Sequence, residues 1–467
     1  MKKILFVLLT GILLYSCKED FLDVKPTGSI STDIALSRIE DLKNATNGLY
    51  SSFKSSGYYG RYFVIFPDVM GNICKDAAEL NRGADPYLHL MTNTTIGLQD
   101  LYALPSYVIA RSTKIINANP SYGDTTKVGI ATLNNYMGQV YACRALAYFD
   151  QVRLFGQPYG MDAGASLGVP IITDPTLDIL PTRATVAEVY AQIISDLDSA
   201  VSKLTSSHID NNLITMWGAK ALLARVYLYK QDWANAAYWA GQVIDGTGPG
   251  KPVLVPAANA AAMGNIFLDA STETIFQISM TASDNRGSDA IWGMYQNYNY
   301  FAVSDEQYAL YTANDKRRAG FFKLVSSHQR PNKQINSQAN TIILRLAEMR
   351  LIRAEANARA ALASGGDAVR ESAARADIQV ISNRALTVPV TIPATLTGQA
   401  LIDRVMLERK MELCFEGNDI WDINRTGQNM TRLNKTASAQ AYGTTMVCPI
   451  PKNELDTNPN MVQNPGY

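Results

Sequence analysis

Apolar and polar positions follow a helical period along four stretches of the chain. Apolar residues recur at three- and four-residue spacing around residues 32–53, 137–156, 186–244 and 305–427, which places them on one face of an α-helix. Between about 246 and 340 the sequence is rich in Gly, Asn, Ser and aromatic residues, with a strand predicted at 273–280. The glycines and the proline of residues 56–72 predict a loop. The pattern therefore predicts a mostly α protein with a large irregular, loop-rich region around 246–340 and few short strands.

Two amphipathic segments within residues 215–244 predict a helical hairpin. Ala224 and Tyr227 are followed by Ala236, twelve residues after Ala224. Small residues at this interval let two helices pack closely, while the tyrosine fills the gap against the next helix pair. We therefore predict that the helices form a scaffold of hairpins like that of tetratricopeptide repeats.

Residues 1–16 have the pattern of an export signal. Two lysines precede about twelve apolar residues, which as a helix rise only ~18 Å and cannot cross the ~30 Å hydrocarbon core of a bilayer. Cys17 follows directly, as in bacterial lipoprotein precursors. We expect cleavage before Cys17, lipidation of Cys17, a tether over residues 17–31 and one domain over residues 32–467. The alternative is an unprocessed leader with an incidental cysteine.

Charge and cysteine content limit the classes of function. The chain has 42 basic and 42 acidic residues and is 47% hydrophobic, so it carries no electrostatic footprint for nucleic acid. Cys74, Cys143, Cys414 and Cys448 form no CxxC pair and give no zinc pattern. A chain of this size does not need disulfides for stability, so we favour buried free thiols over disulfides. We predict no cofactor.

Aromatic and amide side chains alternate within residues 291–301, IWGMYQNYNYF. A sugar ring presents apolar C–H faces and a rim of hydroxyls, so its binding sites combine flat aromatic rings with amides or carboxylates. We interpret the stretch as a ligand-binding site; the alternative is that its aromatics form the core of a non-helical layer. The candidate contacts are Trp292, Tyr295, Asn297, Tyr298, Asn299 and Tyr300, with Tyr58, Tyr59 and Tyr62 as a second set.

Catalytic motifs give little support for an enzyme. The three histidines form no HExxH motif, and no GxSxG motif occurs, so we predict neither a metal site nor a catalytic site. Paired carboxylates can hydrolyse glycosides, but those of residues 404–425 lie among arginines at helical spacing, with Arg404–Glu408 and Arg409–Glu412 as expected pairs. We therefore predict a structural charge network rather than an acid/base pair. Its members are Arg404, Glu408, Arg409, Glu412, Glu416, Asp422 and Arg425.

The C-terminal part of the chain resembles a known family. Residues 408–427, ERKMELCFEGNDIWDINRTG, closely resemble the signature of the SusD/RagB family of Bacteroidetes outer-membrane nutrient-binding lipoproteins. The closing CPIPKNELDTNPNMVQNPGY (448–467) is similar to the end of its members. The chain departs from the family pattern at Asp419 and Ile420, where basic or aromatic residues are usual, and at Cys448, where tyrosine is usual.

The resemblance carries expectations of fold, location and function. It implies a tetratricopeptide-like helical scaffold with an irregular ligand-binding half. The terminal Pro- and Asn-rich segment would then fold back over the helical scaffold. It also implies a cell-surface lipoprotein that rests on a TonB-dependent outer-membrane transporter of the SusC type and delivers captured oligosaccharides to it. Peptide capture, as in RagB-like members, is an alternative ligand class. An anchored glycan-cleaving enzyme and a pure protein scaffold are the rival functions.

Overall fold

The computed structural model describes residues 36, 38–77, 83–118, 127–175, 179–268, 271–428, 430–431, 439–440 and 447–467. The leader, Cys17 and the tether lie outside these residues. Within the described ranges, no helix is both long enough and apolar enough to cross a membrane.

The first half of the chain is built from helices. The predicted loop at 56–72 is wrong for residues 62–70, which form a helix even though Pro67 lies inside it; turns occupy residues 56–61 and 71–72. All nine residues of that helix are buried, and this tertiary burial outweighs the local helix-breaking tendency of proline. The helices are α1 (Ile39–Phe53), α2 (Tyr62–Met70), α3 (Ala84–Leu88), α4 (Leu98–Ala118), α5 (Lys127–Phe155), α6 (Tyr159–Asp162), α7 (Val186–Lys203), α8 (Met216–Tyr229) and α9 (Trp233–Ile244).

The second half starts with irregular structure and ends in long helices. The helical stretch predicted from residue 305 becomes continuous only at Leu346, since short helices and strands occupy residues 305–345. The helices are α10 (Ala260–Gly264), α11 (Asp305–Ala309), α12 (Arg317–Gly320), α13 (Leu346–Ala363), α14 (Ala368–Ala385), α15 (Gly398–Leu413), α16 (Asp419–Thr426) and α17 (Lys452–Thr457). Short 3₁₀ turns span Asn265–Phe267 and Gly287–Asp289, and a π-helical turn spans Gly293–Asn297.

The strands are short and form antiparallel pairs. The predicted strand at 273–280 is confirmed as β2. The described pairs are β1 (Cys74–Asp76) with β3 (Phe301–Val303), β2 (Thr274–Ile278) with β6 (Thr341–Arg345), β4 (Phe322–Val325) with β5 (His328–Pro331), and β7 (Met430–Thr431) with β8 (Ala439–Gln440).

The helical hairpins confirm the predicted tetratricopeptide-like scaffold. Helices α8 and α9 pack against each other, and Ala224 on α8 and Ala236 on α9 are both fully buried. Asp232 begins α9 by accepting a hydrogen bond from the backbone N–H of Asn235 at 3.1 Å, as an N-cap residue does. A second hairpin, α13–α14, packs beside the first through α9 and α13. The alanine spacing therefore marked a close helix crossing, as expected.

The terminal segment folds back over the helical scaffold, as expected. The backbone N–H of Cys448 donates to the carbonyl of Leu154 at 2.7 Å, and the amide of Asn464 donates to the carbonyl of Phe155 at 2.9 Å. Arg183 donates to the side-chain oxygen of Asn464 at 2.8 Å. These bonds satisfy carbonyls at the end of α5, which have no partner within the helix itself. Cys74, Cys143, Cys414 and Cys448 are buried, and no disulfide joins them within the described residues, which agrees with the predicted buried thiols.

Candidate ligand-binding site

The stretch 291–301 contains the π-helical turn Gly293–Asn297 and ends at Phe301, the first residue of β3. Gly293 begins the turn, and a Cβ atom there would lie 1.8 Å from the carbonyl oxygen of Ser288, so only glycine fits. Downstream, the backbone N–H of Ala77 donates to the carbonyl of Tyr300 at 3.1 Å, next to the β1–β3 pair. Both ends of the stretch are therefore held in place by backbone contacts.

Trp292 is half-buried, and its polar edge is bonded within the protein. Its indole N–H donates to Gln296 Oε1 at 3.0 Å. The Gln296 amide in turn donates to the carbonyls of Pro331 and Gln334, at 2.7 and 3.2 Å. Gln296 therefore anchors the turn to β5 and the loop after it, and Trp292 offers a ligand its ring rather than its N–H.

Tyr298 and Tyr300 form a stacked pair, which we call the tyrosine pair. Their ring centroids lie 5.4 Å apart with an interplanar angle of 14°, and both side chains are half-buried. Asn299 between them has a φ of +58°, a left-handed conformation that asparagine tolerates better than most residues. The tyrosine pair thus follows from an unusual backbone conformation at one residue.

Amide groups flank the tyrosine pair. Asn297 is exposed and donates to Ser288 Oγ at 3.2 Å. The side-chain oxygen of Asn299 is buried and has no hydrogen-bond partner among the described residues, whereas its backbone carbonyl accepts from Arg330 at 3.2 Å. A buried acceptor without a donor is costly, so a donor from water or from a ligand would stabilise it.

The structure contradicts ligand contact by Tyr295. This side chain is 1% exposed and packs edge-on against Phe415, with centroids 5.5 Å apart. Burial raises its pKa well above the ordinary value of tyrosine. The predicted ligand role of Tyr295 is wrong because the residue type alone does not show whether a tyrosine ring faces the core or the solvent.

Tyr58, Tyr59 and Tyr62 are core residues as well, so their predicted ligand role is also wrong. The hydroxyls of Tyr58 and Tyr59 donate to the two carboxylate oxygens of the buried Asp150, at 2.5 and 3.0 Å, and the two rings stack on each other at 4.8 Å. Tyr62 lies beneath Gly97, whose Cβ, if present, would lie 2.6 Å from the ring. None of the three presents a free ring face.

The carboxylates near the C-terminus belong to a buried ionic network. Glu412 is fully buried and lies 3.1 Å from Arg317, 2.8 Å from Arg345 and 2.5 Å from Arg384. Glu416 pairs with Lys333 at 2.6 Å and with Arg345 at 2.8 Å. We call this the central charge cluster; its members are Glu273, Arg317, Lys333, Arg345, Arg384, Glu408, Glu412 and Glu416.

One predicted ion pair of this network is present and the other is wrong. Arg404 pairs with Glu408 at 2.7 Å, four residues along α15. Arg409 does not pair with Glu412; it binds Asp422 at 2.6 Å. Asp422 also pairs with Arg425 at 2.8 Å. Helical spacing predicts contacts within one helix, whereas burial directs these side chains towards other elements.

The electrostatics of the cluster do not suit acid catalysis. Burial by itself would raise the pKa of Glu412, but the guanidinium groups of Arg384, Arg345 and Arg317 outweigh it and hold that pKa well below its usual range. The pKa values of Glu408 and Glu416 are lowered in the same way. A general acid needs a carboxyl that stays protonated near neutral pH. These carboxylates are ionised and are closed off from substrate.

The described residues contain no group of three or more side chains placed to hold a metal ion. The helical-hairpin scaffold thus carries an irregular half with partly exposed aromatic and amide side chains. The carboxylates of the central charge cluster are paired with arginines and a lysine. These features define a binding protein on a repeat scaffold.

Comparisons with known proteins identify the family. The profile described as "SusD family" matches residues 264–467, and the profile described as "Starch-binding associating with outer membrane" matches residues 20–228. Together these two matches cover most of the chain, and with the relatives described next they support its place among the SusD-like proteins.

Relatives match nearly the whole chain. A SusD-like protein P2 of Formosa agariphila is 24% identical over an alignment of 533 residues. The alignment covers 100% of this chain and 99% of the relative. The crystal structure of a SusD superfamily protein from Bacteroides vulgatus superposes with a TM-score of 0.82 at 28% identity, covering 92% of this chain and 99% of that one. A SusD-like carbohydrate-binding protein from Bacteroides vulgatus shares the fold with a TM-score of 0.75 at 19% identity, covering 91% and 97%.

Proposed function

We propose that this protein captures oligosaccharides at the surface of the outer membrane and delivers them to a SusC-like TonB-dependent transporter. The observation that carries the proposal is the tyrosine pair, whose half-buried rings stack on each other in a segment that also contains Asn297 and Asn299. Flat rings suit the C–H faces of a sugar, and the amides suit its hydroxyl rim. Trp292 extends the aromatic surface on the same segment.

Family membership supports the location and the partner. A matching profile is described as starch-binding and associating with the outer membrane, and Cys17 follows an apolar leader. We propose that lipidated Cys17 anchors the chain and that residues 17–31 tether the helical scaffold. Co-purification of the transporter with the wild-type protein tests the partner. Metabolic labelling with a radioactive fatty acid tests the anchor, because it should label the wild type and not Cys17→Ser; equal labelling of the two would contradict it.

Binding without chemistry is supported by the central charge cluster. The carboxylates that could have served as a glycosidase pair are held ionised and buried by arginines. Incubation of the purified protein with polysaccharide should therefore yield no shorter products. Product formation by the protein alone would favour the anchored-enzyme alternative.

Calorimetric titration of the full-length protein in detergent tests the ligand site. The panel contains neutral and acidic oligosaccharides and short peptides, and the key variant is Tyr298→Ala/Tyr300→Ala. Because each aromatic contact contributes roughly 0.5–1.5 kcal/mol beyond its buried area, we expect the variant to lose at least about tenfold in affinity for the bound glycan.

The matched control is Tyr238→Ala, which removes a tyrosine that is 56% exposed on α9 in the helical half. This variant should bind glycan like the wild type. Binding of peptides alone would favour the peptide-capture alternative. Glycan binding that survives loss of the tyrosine pair would show that the site lies elsewhere.

A further inference from the structure

A second concave surface lies in the irregular half. It is an open groove of about 520 Å³ between the β4–β5 hairpin and helices α10, α11 and α12, and none of its lining residues belongs to the stretch 291–301. The volume lies within the usual range of small-molecule sites. We call it the basic groove and define it by Tyr308, Lys316, Arg318, Phe322, Lys323 and Leu324.

The walls of the basic groove combine aromatic and apolar surface. Tyr308 is half-buried and meets Phe322 edge-on, with centroids 5.7 Å apart at 76°. Leu324 is 67% exposed. The guanidinium of Arg318 lies 4.4 Å above the ring of Tyr308, and its Nη1 donates to the carbonyl of Tyr311 at 2.6 Å. The charge of Arg318 is thus held beside an apolar surface instead of extending into solvent.

The charge of the basic groove is not balanced locally. Its lining includes Lys316, Arg318 and Lys323, and no ion pair joins any of the three to a carboxylate among the described residues. Asp315 is the acidic residue of the lining, and the buried Arg317 binds both of its carboxylate oxygens at 2.8–3.2 Å. The chain as a whole has equal numbers of basic and acidic residues, so this local excess of positive charge is a property of the groove.

Hydrogen-bonding capacity also remains available in the groove. The ammonium group of Lys316 donates to the carbonyl of Ala257, which uses one of its three donors. Lys323 is half-buried, and no hydrogen bond of its ammonium to a described residue is present. Asn259 and Gln329 add amides to the lining, and Thr387 adds a hydroxyl. Cations, amides and an aromatic wall together match the carboxylates, hydroxyls and C–H faces of an acidic sugar.

The geometry points to the basic groove as a subsite for anionic oligosaccharides, those that carry uronic acid carboxylates or sulfate esters. This inference rests on the proposed function and names its ligand class. Lys323 and Arg318 would contact the anionic group, and Tyr308 and Phe322 would pack against the ring. Acidic glycans would then occupy both the tyrosine pair and the groove, whereas neutral glycans would use the tyrosine pair alone.

The test compares charged and neutral forms of one glycan. The full-length protein in detergent is titrated with a galacturonic acid hexamer, its methyl-esterified form, a sulfated galactan hexamer and a neutral glucan hexamer. A hydrogen bond to a charged group contributes roughly 1.5–3 kcal/mol, so we expect the acidic hexamer to bind at least about tenfold more tightly than its ester. The sulfated hexamer shows which anionic group the groove prefers.

Two variants test whether the basic groove causes the preference for the acidic hexamer. Arg318→Gln/Lys323→Gln should lose the tenfold preference for the acidic hexamer and retain the affinity for the ester. Lys251→Gln, which neutralises a half-buried lysine outside the groove, should behave like the wild type. Because an exposed ion pair is screened by salt, raising NaCl from about 0.1 M to about 1 M should weaken binding of the acidic and sulfated hexamers and leave binding of the ester and the neutral glucan unchanged.

Three results would overturn the inference and leave the proposed function standing, and the first two concern the glycans. They are equal binding of the acidic and esterified hexamers when that binding depends on Tyr298 and Tyr300, and an acidic preference that survives in Arg318→Gln/Lys323→Gln. A poly-glutamate peptide of the same charge that binds as tightly as the acidic hexamer would also overturn it, since the groove would then recognise charge without a sugar. Absence of binding to every glycan would overturn the proposed function together with the inference.

Discussion

Replacing Arg345 with glutamine tests whether the central charge cluster stabilises the fold. Arg345 is 1% exposed and binds Glu273, Glu412 and Glu416 at 2.8–2.9 Å, and it also donates to the backbone carbonyl of Glu412 at 2.7 Å. Its loss leaves three buried carboxylates with less positive charge nearby. Removing one partner of a buried ion pair typically costs about 3–5 kcal/mol, a large part of the roughly 5–15 kcal/mol that stabilises most domains.

Arg404→Gln is the matched control, because it makes the same substitution at the edge of the same cluster. The Arg404 side chain is 25% exposed and pairs with Glu408 at 2.7 Å. Water can replace part of this interaction, so the expected loss is at most about 1 kcal/mol. Urea denaturation followed by tryptophan fluorescence measures the unfolding free energies of both variants and the wild type.

The pH dependence of the difference in unfolding free energy between Arg345→Gln and the wild type gives a second measurement. Arg345 is among the cations that lower the pKa of Glu412 and Glu416, so both carboxylates should take up protons more readily in Arg345→Gln. Protonation removes the uncompensated charge, and the gap in stability between variant and wild type should narrow from neutral pH to about pH 4, near the ordinary pKa of glutamate. Equal losses in Arg345→Gln and Arg404→Gln would refute the reasoning.

Three further predictions concern acid stability, thiol reactivity and the shape of the ligand site. Arg425 outweighs the effect of burial on Glu355 and lowers its pKa to about 2, from the usual 4.5. Because this pKa is lower in the folded state than in the unfolded state, ionised Glu355 stabilises the fold fully above about pH 4.5, and this stabilisation is lost as the pH falls towards about 2. The loss amounts to about 3 kcal/mol at 1.36 kcal/mol per pKa unit. Urea midpoints that stay constant over this pH range would contradict the prediction. Burial raises the pKa of Cys143 and Cys448 to about 12, so a thiol reagent should label them only after denaturation, and rapid labelling of the native protein would disprove their burial. Gly293→Ala should weaken glycan binding at least about tenfold because its methyl group would collide with the carbonyl of Ser288 and shift the turn; wild-type affinity in calorimetry would show that the turn does not position the tyrosine pair.

Hydrophobic periodicity predicts much of the helical part of the fold but misses helices that contain proline. Helices α8, α9 and α13 follow the apolar spacing, and packing of one face against neighbours makes that spacing informative. Helices α2 and α4 contain Pro67 and Pro105, and tertiary burial maintains them despite the local signal. Local patterns could not supply that burial, because it comes from segments far away in the chain.

The ligand site is predicted less well than the fold, for a related reason. Residues 58 and 59 have the composition of an aromatic platform, but Asp150, some ninety residues later, pairs with both hydroxyls and holds them in the core. The tyrosine pair depends on the backbone conformation of Asn299, which no residue pattern specifies. The basic groove brings together Tyr308, Arg318 and Lys323 from three short elements within residues 308–324, and the turns between these elements, rather than a helical or strand period, place the side chains on one surface.

The position of the central charge cluster explains why the signature that identifies the family does not identify the ligand. Glu408 and Glu412 lie on α15 of the helical half, while their partners Arg317 and Arg345 come from α12 and β6 in or beside the irregular half. The signature residues therefore fasten one half of the molecule to the other. These ion pairs between the two halves are needed whichever sugar is bound, whereas the tyrosine pair and the residues that define the basic groove are not part of them. Ligand specificity should accordingly change through substitutions at Tyr298, Tyr300, Arg318 or Lys323 that leave the cluster and its stability intact.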